Sequence, residues 1–274
     1  MDYNYIITSP KAPLLLHPEK TSELADEALY GMLLNVLQTD GIWSQVTMEY
    51  GYTGWILNEH INVDENESWD RNRNALIQSP FADVMPNNTY RGYPIINLPK
   101  GSHLVCLSDS PDKEGWLKVE LHDKTCGYCR QEWVRRFSDF PESHDEEAIR
   151  TAVVKDALSY IGTSYKWGGK SPAGIDCSGL TFMSYWMNGI HIYRDARIED
   201  GYLVSEINHT QHKAGDLLYF PGHIAMVIKD GTYVHSTGSQ GGVVINSLDP
   251  NHEKYHTKLA HMHSQTGSIF KLKR

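Results

Sequence analysis

Apolar residues in the first 140 positions come in runs of four to six, broken by Gly, Pro, Asn and Asp before a helical period can develop. Met32–Leu37, Trp43–Met48, Gly54–Leu57, Pro94–Leu98, His103–Leu107, Trp116–Leu121 and Gly127–Arg130 are such runs. Short, closely spaced runs of this kind predict small barrels or sandwiches. The pattern changes after Pro141. Ser143-His-Asp-Glu146 has the form of a capping box. Apolar positions then recur at Ile149, Ala152, Val153, Ala157, Tyr160 and Ile161, near the helical period, until Gly162. A second helix is predicted from Cys177 to Asn188, stopped by Gly189. Strands are predicted at Asp216–Phe220, His223–Ile228, Thr232–Ser236 and Gly242–Ser247. Helices followed by an antiparallel meander predict an α+β domain.

The β-rich half contains a weak repeat. Trp43-Ser-Gln-Val46 followed by Tyr52-Thr-Gly-Trp55 parallels Trp116-Leu-Lys-Val119 followed by Gly127-Tyr128. The repeat resembles bacterial SH3-like barrels. Two small all-β SH3-like barrels, 1–63 and 64–140, are therefore expected before an α+β domain at 141–274. Ser22–Tyr30 is expected to form a short helix inserted in the first copy. Trp43, Trp55, Trp116 and Trp133 are expected to fill the barrel cores.

Composition narrows the function. With 25 basic and 34 acidic residues the formal charge is −9, which repels phosphate backbones and argues against a nucleic-acid partner. Hydrophobic content is 40% and the mean hydropathy is −0.46, as expected of ordinary globular domains. The N-terminus lacks a basic region and a long apolar run, and no stretch is apolar enough to span a bilayer. A cytoplasmic protein without membrane partners is therefore expected. The four cysteines, Cys106, Cys126, Cys129 and Cys177, are then thiols.

Cys177 stands apart from the other three. A glycine-rich segment from Tyr165 through Trp167, Gly168 and Gly169 leads into Asp176-Cys177-Ser178 at the start of a helix. A thiol at a helix N-terminus faces unpaired N–H groups and the positive end of the dipole. Such surroundings lower a cysteine pKa from ~8.5 to roughly 3.5–7.5, and the same N–H groups can hold an oxyanion. The plainer alternative, a buried cysteine serving as a small hydrophobe, has about even odds on the cysteine alone. The approach loop favours a nucleophile.

A thiol nucleophile needs a histidine, usually distant in sequence. His223 and His235 lie on two strands predicted to form a hairpin. A three-residue loop, Lys229-Asp230-Gly231 with Gly231 in the left-handed region, would set His235 opposite Ala225. His223 would then share its face as a diagonal neighbour at roughly 7–8 Å. A two-residue turn would put the histidines on opposite faces, so the three-residue loop is expected. His223 then serves as the base and His235 holds its tautomer.

Asp176-Cys177-Ser178-Gly179, Gly215-Asp216-Leu-Leu-Tyr-Phe before His223-Ile-Ala-Met-Val, and Tyr233-Val-His235 resemble the NlpC-type cysteine peptidases. The preceding barrels resemble the γ-D-glutamyl-L-diamino acid endopeptidase subgroup of that family. The resemblance implies a papain-like catalytic domain with Cys177, His223 and His235 as the triad. It also implies a murein-derived peptide as substrate, cut between γ-D-Glu and L-Lys or meso-diaminopimelate in cell-wall peptide recycling. It places Tyr165 near the oxyanion and Trp167 in the same wall. Asp176 and Ser178 are expected to contact substrate, and Arg194-Asp195 matches a pair whose aspartate binds the free amine of L-Ala. Glu49, Tyr50 and Tyr52 are the first-barrel candidates for narrowing the cleft. Two other readings stand beside this one. One is a secreted murein hydrolase whose barrels bind the wall; the other is a non-enzymatic peptide- or glycan-binding module.

Other motifs carry less weight. Cys126-Gly-Tyr-Cys129 has no second CxxC and falls where a barrel strand is expected. His261-x-His263 would place two imidazoles on one face of a strand, and a solvated edge is the expected reading. No metal or cofactor is expected.

Overall fold

The computed structural model describes residues 3–64, 68–229 and 231–270. The chain divides into two units, Met1–Asp139 and Phe140–Arg274.

The first unit is almost entirely β. Its larger sheet has seven strands, in the order Leu24–Leu29, Lys11–Leu15, Thr53–Leu57, Trp43–Met48, Leu33–Asp40, Tyr5–Ile7 and Ile61–Val63. The next sheet has five, in the order Cys126–Arg130, Trp116–Glu120, His103–Cys106, Ala75–Ile77 and Val134–Arg136. The sequence repeat is a repeat of register. Val46 pairs with Gly54 and Val119 with Gly127, while Gln45 faces Trp55 and Lys118 faces Tyr128. Gly127 is required by close approach, since a Cβ there would meet Val84 Cγ1 at 2.5 Å and the Met85 carbonyl at 2.9 Å.

The two sheets share one core. Ile6, Tyr30 and Leu33 from the first copy cluster with Trp69, Leu104, Leu117, Val119 and Cys129. Trp69 was not among the expected core tryptophans, yet it is 1% exposed and donates its indole N–H to the Gly31 carbonyl at 2.9 Å. Trp43 and Trp116 are buried as expected, whereas Trp55 and Trp133 are only half-buried.

The helix expected at Ser22–Tyr30 is instead the strand Leu24–Leu29, paired with Lys11–Leu15. Glu, Ala and Leu favour helix locally, but tertiary pairing overrides that weak preference. The two carboxylates of the strand are buried with partners: Tyr50 donates to Asp26 at 2.6 Å, and Lys11 pairs with Glu27 at 3.0 Å. Glu49 is likewise engaged within this unit, paired with Arg73 at 2.6 Å and accepting the Leu33 N–H at 2.8 Å. Cys126 and Cys129 lie on one strand, the first exposed and the second buried.

The second unit is α+β. Its six-stranded antiparallel sheet runs Ser205–Ile207, Gln265–Ser268, Leu217–Phe220, His223–Lys229, Thr232–Thr237 and Gly242–Ser247. Helix Glu146–Leu158 packs on helix Cys177–Trp186, which in turn packs on the strands carrying His223 and His235. All ten residues of Cys177–Trp186 are buried, as its mostly apolar sequence requires. The cap of the first helix is Asp145, which accepts the Ala148 N–H at 3.0 Å, not Ser143. Glu146 does not reach back; it pairs forward with Arg150 at 2.8 Å. Arg150 also binds buried Asp216 at 2.9 Å, tying this helix to the sheet. His261 is not on a strand but in the helix Thr257–Met262, with His263 just beyond it, so the two rings do not share a strand face. Among the described residues no helix is long and apolar enough to cross a membrane.

Candidate active site

The hairpin that carries both histidines has the expected register, reached by a different device. Met226 pairs with Val234 and Val227 with Tyr233, which sets His235 opposite Ala225. Lys229 then pairs with Thr232, so the extra residue is taken up as a bulge between Val227 and Lys229. Lys229 is thus a strand residue, not part of a three-residue loop; Gly231 has φ +75° as expected, and Asp230 lies outside the described residues. Bulge and loop have the same consequence for register: both histidines face one side. His223 Nε2 lies 2.8 Å from His235 Nδ1. The rings meet edge to face, with centroids 5.0 Å apart.

Beyond His235 stands a residue absent from the sequence-based set. His235 Nε2 lies 2.8 Å from Asn246 Oδ1. Asn246 is on strand Gly242–Ser247, two positions beyond Val244, which faces His235 directly. Period-two alternation puts it on the His235 face, so a predicted pairing of this hairpin would have found it.

Cys177 opens its helix and is 8% exposed. Its sulfur accepts from the main-chain N–H of Ile224, the residue after His223, and from that of Ser178. The nucleophile helix and the base strand therefore meet at this atom. The expected lowering of the thiol pKa is reversed: burial, and then the Asp176 carboxylate, push it up to about 11. The two N–H groups and Arg194 pull the other way without prevailing. The helix dipole by itself predicts a lowering; burial and the acidic cap offset it. His223 and His235 are both lowered to about 4, first by burial. The ligand-free site therefore holds a thiol and two neutral imidazoles over a wide pH range.

Asp176, Ser178 and Arg194 were expected to contact substrate; the structure gives them another task. Asp176 caps the helix, accepting the Gly179 N–H at 2.6 Å, while its other oxygen accepts the Gly168 N–H at 2.8 Å. Arg194, 1% exposed, donates to both Asp176 oxygens at 3.2 Å, to Ser178 Oγ at 2.7 Å and to the Gly169 carbonyl at 3.3 Å. A guanidinium so enclosed has no face left for a ligand. The cluster fixes the glycine-rich approach loop to the start of the nucleophile helix.

Tyr165 stands beside this loop and close to Gly238, where a Cβ would meet its Cδ1 at 3.5 Å. Burial, with the nearby Cys177 and Asp176, pushes its hydroxyl up to about 12, so it remains a donor. Trp167 is 59% exposed. Asp195 is half-buried, and its charge raises the neighbouring Tyr193 and Tyr202 hydroxyls and the Arg197 guanidinium. Among the described residues, no group of three or more His, Cys, Asp or Glu side chains is arranged to hold a metal ion.

Comparison with known proteins agrees with this geometry. The NlpC/P60 family profile matches residues 162–262, and the bacterial dipeptidyl-peptidase SH3 domain profile matches residues 14–61. Dipeptidyl-peptidase 6 of Lysinibacillus sphaericus is 38% identical over 272 residues, covering 97% of this chain and 100% of the relative. A γ-D-glutamyl-L-lysine dipeptidyl-peptidase of Bacillus cereus is 25% identical over 249 residues, covering 83% and 72% respectively. The crystal structure of an NlpC/P60 family protein from Bacillus cereus superposes with a TM-score of 0.78 at 21% identity, covering 96% of this chain and 98% of that one.

Proposed function

We propose that this chain, which belongs to the NlpC/P60 family of peptidases, is a cysteine peptidase that cuts the γ-D-glutamyl–L-diamino acid bond of murein peptides bearing a free N-terminal L-Ala. The carrying observation is the line of groups at one point: the Cys177 sulfur against the Ile224 N–H, and His223 in contact with His235 at 2.8 Å. The names of the two relatives support a dipeptidyl-peptidase, and one of them supports the γ-D-glutamyl-L-lysine bond.

In this reading Cys177 Sγ attacks the γ-carbonyl carbon as its proton passes to His223. The proton transfer accompanies attack, because the resting pair is neutral. The N–H groups at the start of the nucleophile helix and the Tyr165 hydroxyl are donors suited to the carbonyl oxygen as it gains charge. Collapse breaks the C–N bond, and His223 returns its proton to the leaving amine. Water, deprotonated by the same imidazole, then cleaves the thioester and restores the thiol. Asp195 is the carboxylate assigned to the substrate ammonium, since a desolvated cation needs a charge partner. A role in recycling short wall peptides follows from that substrate.

The test is turnover of L-Ala-γ-D-Glu-L-Lys and its meso-diaminopimelate counterpart, with products identified by mass. Wild-type protein should release L-Ala-γ-D-Glu, Cys177→Ala should release none while keeping its circular dichroism spectrum, and N-acetylated substrate should resist. Turnover by Cys177→Ala would refute the mechanism; unchanged turnover of acetylated peptide would refute the amine requirement.

A further inference from the structure

The histidine pair does not end at His235. Each neutral imidazole has one N–H, so a chain of two imidazoles can be protonated in either of two directions, and only one leaves His223 able to act as a base. The group at the far end decides which. His235 Nε2 meets the amide oxygen of Asn246 at 2.8 Å, and that oxygen can only accept. His235 must then carry its proton on Nε2 and present a bare Nδ1. His223 Nε2, 2.8 Å away, must donate to it, which leaves His223 Nδ1 unprotonated.

The opposite arrangement follows from turning one amide. With Nδ2 of Asn246 towards His235, Nε2 would accept, His235 Nδ1–H would donate, and His223 Nδ1 would carry the proton and be useless as a base. The amide is held against this turn from its other side. Its Nδ2 lies 3.5 Å from the Lys254 carbonyl, an acceptor that also takes the Ser247 N–H at 2.9 Å. A carbonyl cannot be paired with the amide oxygen, so this second acceptor fixes the orientation.

We propose that Asn246 is a positioning residue that sets the tautomer of both histidines and so keeps His223 Nδ1 as the basic nitrogen available to the Cys177 thiol. This rests on the reading of His223 as the base. Asn246 touches neither the reacting atoms nor the thiol; it acts through His235. In a Ser-His-Asp triad, replacing the aspartate so that the histidine takes the wrong tautomer costs about 10⁴ in kcat. Here the effect is relayed through a second ring and should be smaller.

The first measurement uses the intact wild-type chain, labelled with ¹⁵N-histidine, at neutral pH. Long-range ¹H–¹⁵N correlation should show Nε2 protonated and Nδ1 bare in both His223 and His235. A proton on Nδ1 of either ring would overturn the proposal, and that measurement depends on no variant folding. Next, Asn246→Leu should shift His223 towards Nδ1–H and lower kcat by about 10–100-fold, with KM unchanged within about twofold. Asn246→Asp keeps an acceptor at that position and should restore both the wild-type tautomer and most of kcat. Unchanged tautomers and kcat in Asn246→Leu would overturn the proposal, as would an Asn246→Asp protein no better than Asn246→Leu. The rate of Cys177 alkylation by iodoacetamide, followed by peptide mass, gives an arm that needs no murein peptide. If wild-type protein failed to cut that peptide, the substrate reading would fall while the spectra and alkylation rates still decided the role of Asn246.

Discussion

Replacing Arg194 by methionine separates two roles that the sequence left confounded. Methionine keeps much of the aliphatic length and removes the guanidinium. Four donor contacts are lost: one to each oxygen of Asp176, one to Ser178 Oγ and one to the Gly169 carbonyl. The Asp176 carboxylate, on a residue 7% exposed, is left in the interior without its cation. Breaking a buried ion pair from one side typically costs ~3–5 kcal/mol, since the remaining charge is uncompensated. At about 2–4 °C per kcal/mol for a chain of this size, the melting temperature should fall by roughly 6–20 °C. Neutralising the orphan should recover part of that loss. Asp176→Asn in the Arg194→Met background keeps a capping side chain and removes the charge, so the double variant should be more stable than Arg194→Met alone. Calorimetry on wild type, the two single variants and the double variant measures the coupling. Kinetics on the folded fraction should show KM within about twofold of wild type. An Arg194→Met protein with unchanged melting and a tenfold higher KM would refute the assignment and return Arg194 to the substrate.

Two further predictions concern the same helix and its base. His223 is lowered from 6.5 to about 4 by burial and by the charges His235 and His256 would carry, so its neutral, basic form persists well into acid. Activity should therefore be lost as pH falls through about 4, and a kcat/KM profile whose acid limb lay near 6.5 would contradict this. Gly179→Ala should destabilise the protein although alanine is the better helix former by about 1 kcal/mol. Its Cβ would strike the Gly169 carbonyl and lie 3.0 Å from Asp176 Oδ1, and a gain in urea resistance would refute that account.

Much of the site was legible because its chemistry depends on local order. Asp176-Cys177 at the mouth of a helix is a sequence feature, and strand alternation was enough to choose the register that joins His223 to His235. The means differed: a bulge after Val227 supplies the extra residue that a three-residue loop was expected to supply, because register counts residues and not how they are accommodated. The Trp-x-x-Val repeat was legible for the same reason, since Val46 and Val119 each meet a glycine at the same offset.

What the sequence by itself determined was the succession of β-rich and α+β halves, the nucleophile and the pair of histidines, all of which follow from period, capping and spacing along the chain. Only the tertiary structure decided the rest. Leu24–Leu29 is a strand because Lys11–Leu15 has a free edge to pair with and because Tyr50 and Lys11 satisfy its buried carboxylates. Arg194 turns inward because Asp176 and Ser178 wait for it sixteen to eighteen residues back in the chain. Cys177 is held as a thiol because desolvation and an acidic cap outweigh the dipole that its position advertises. Burial and charge pairing depend on which distant segments arrive at a point, and no local pattern carries that information.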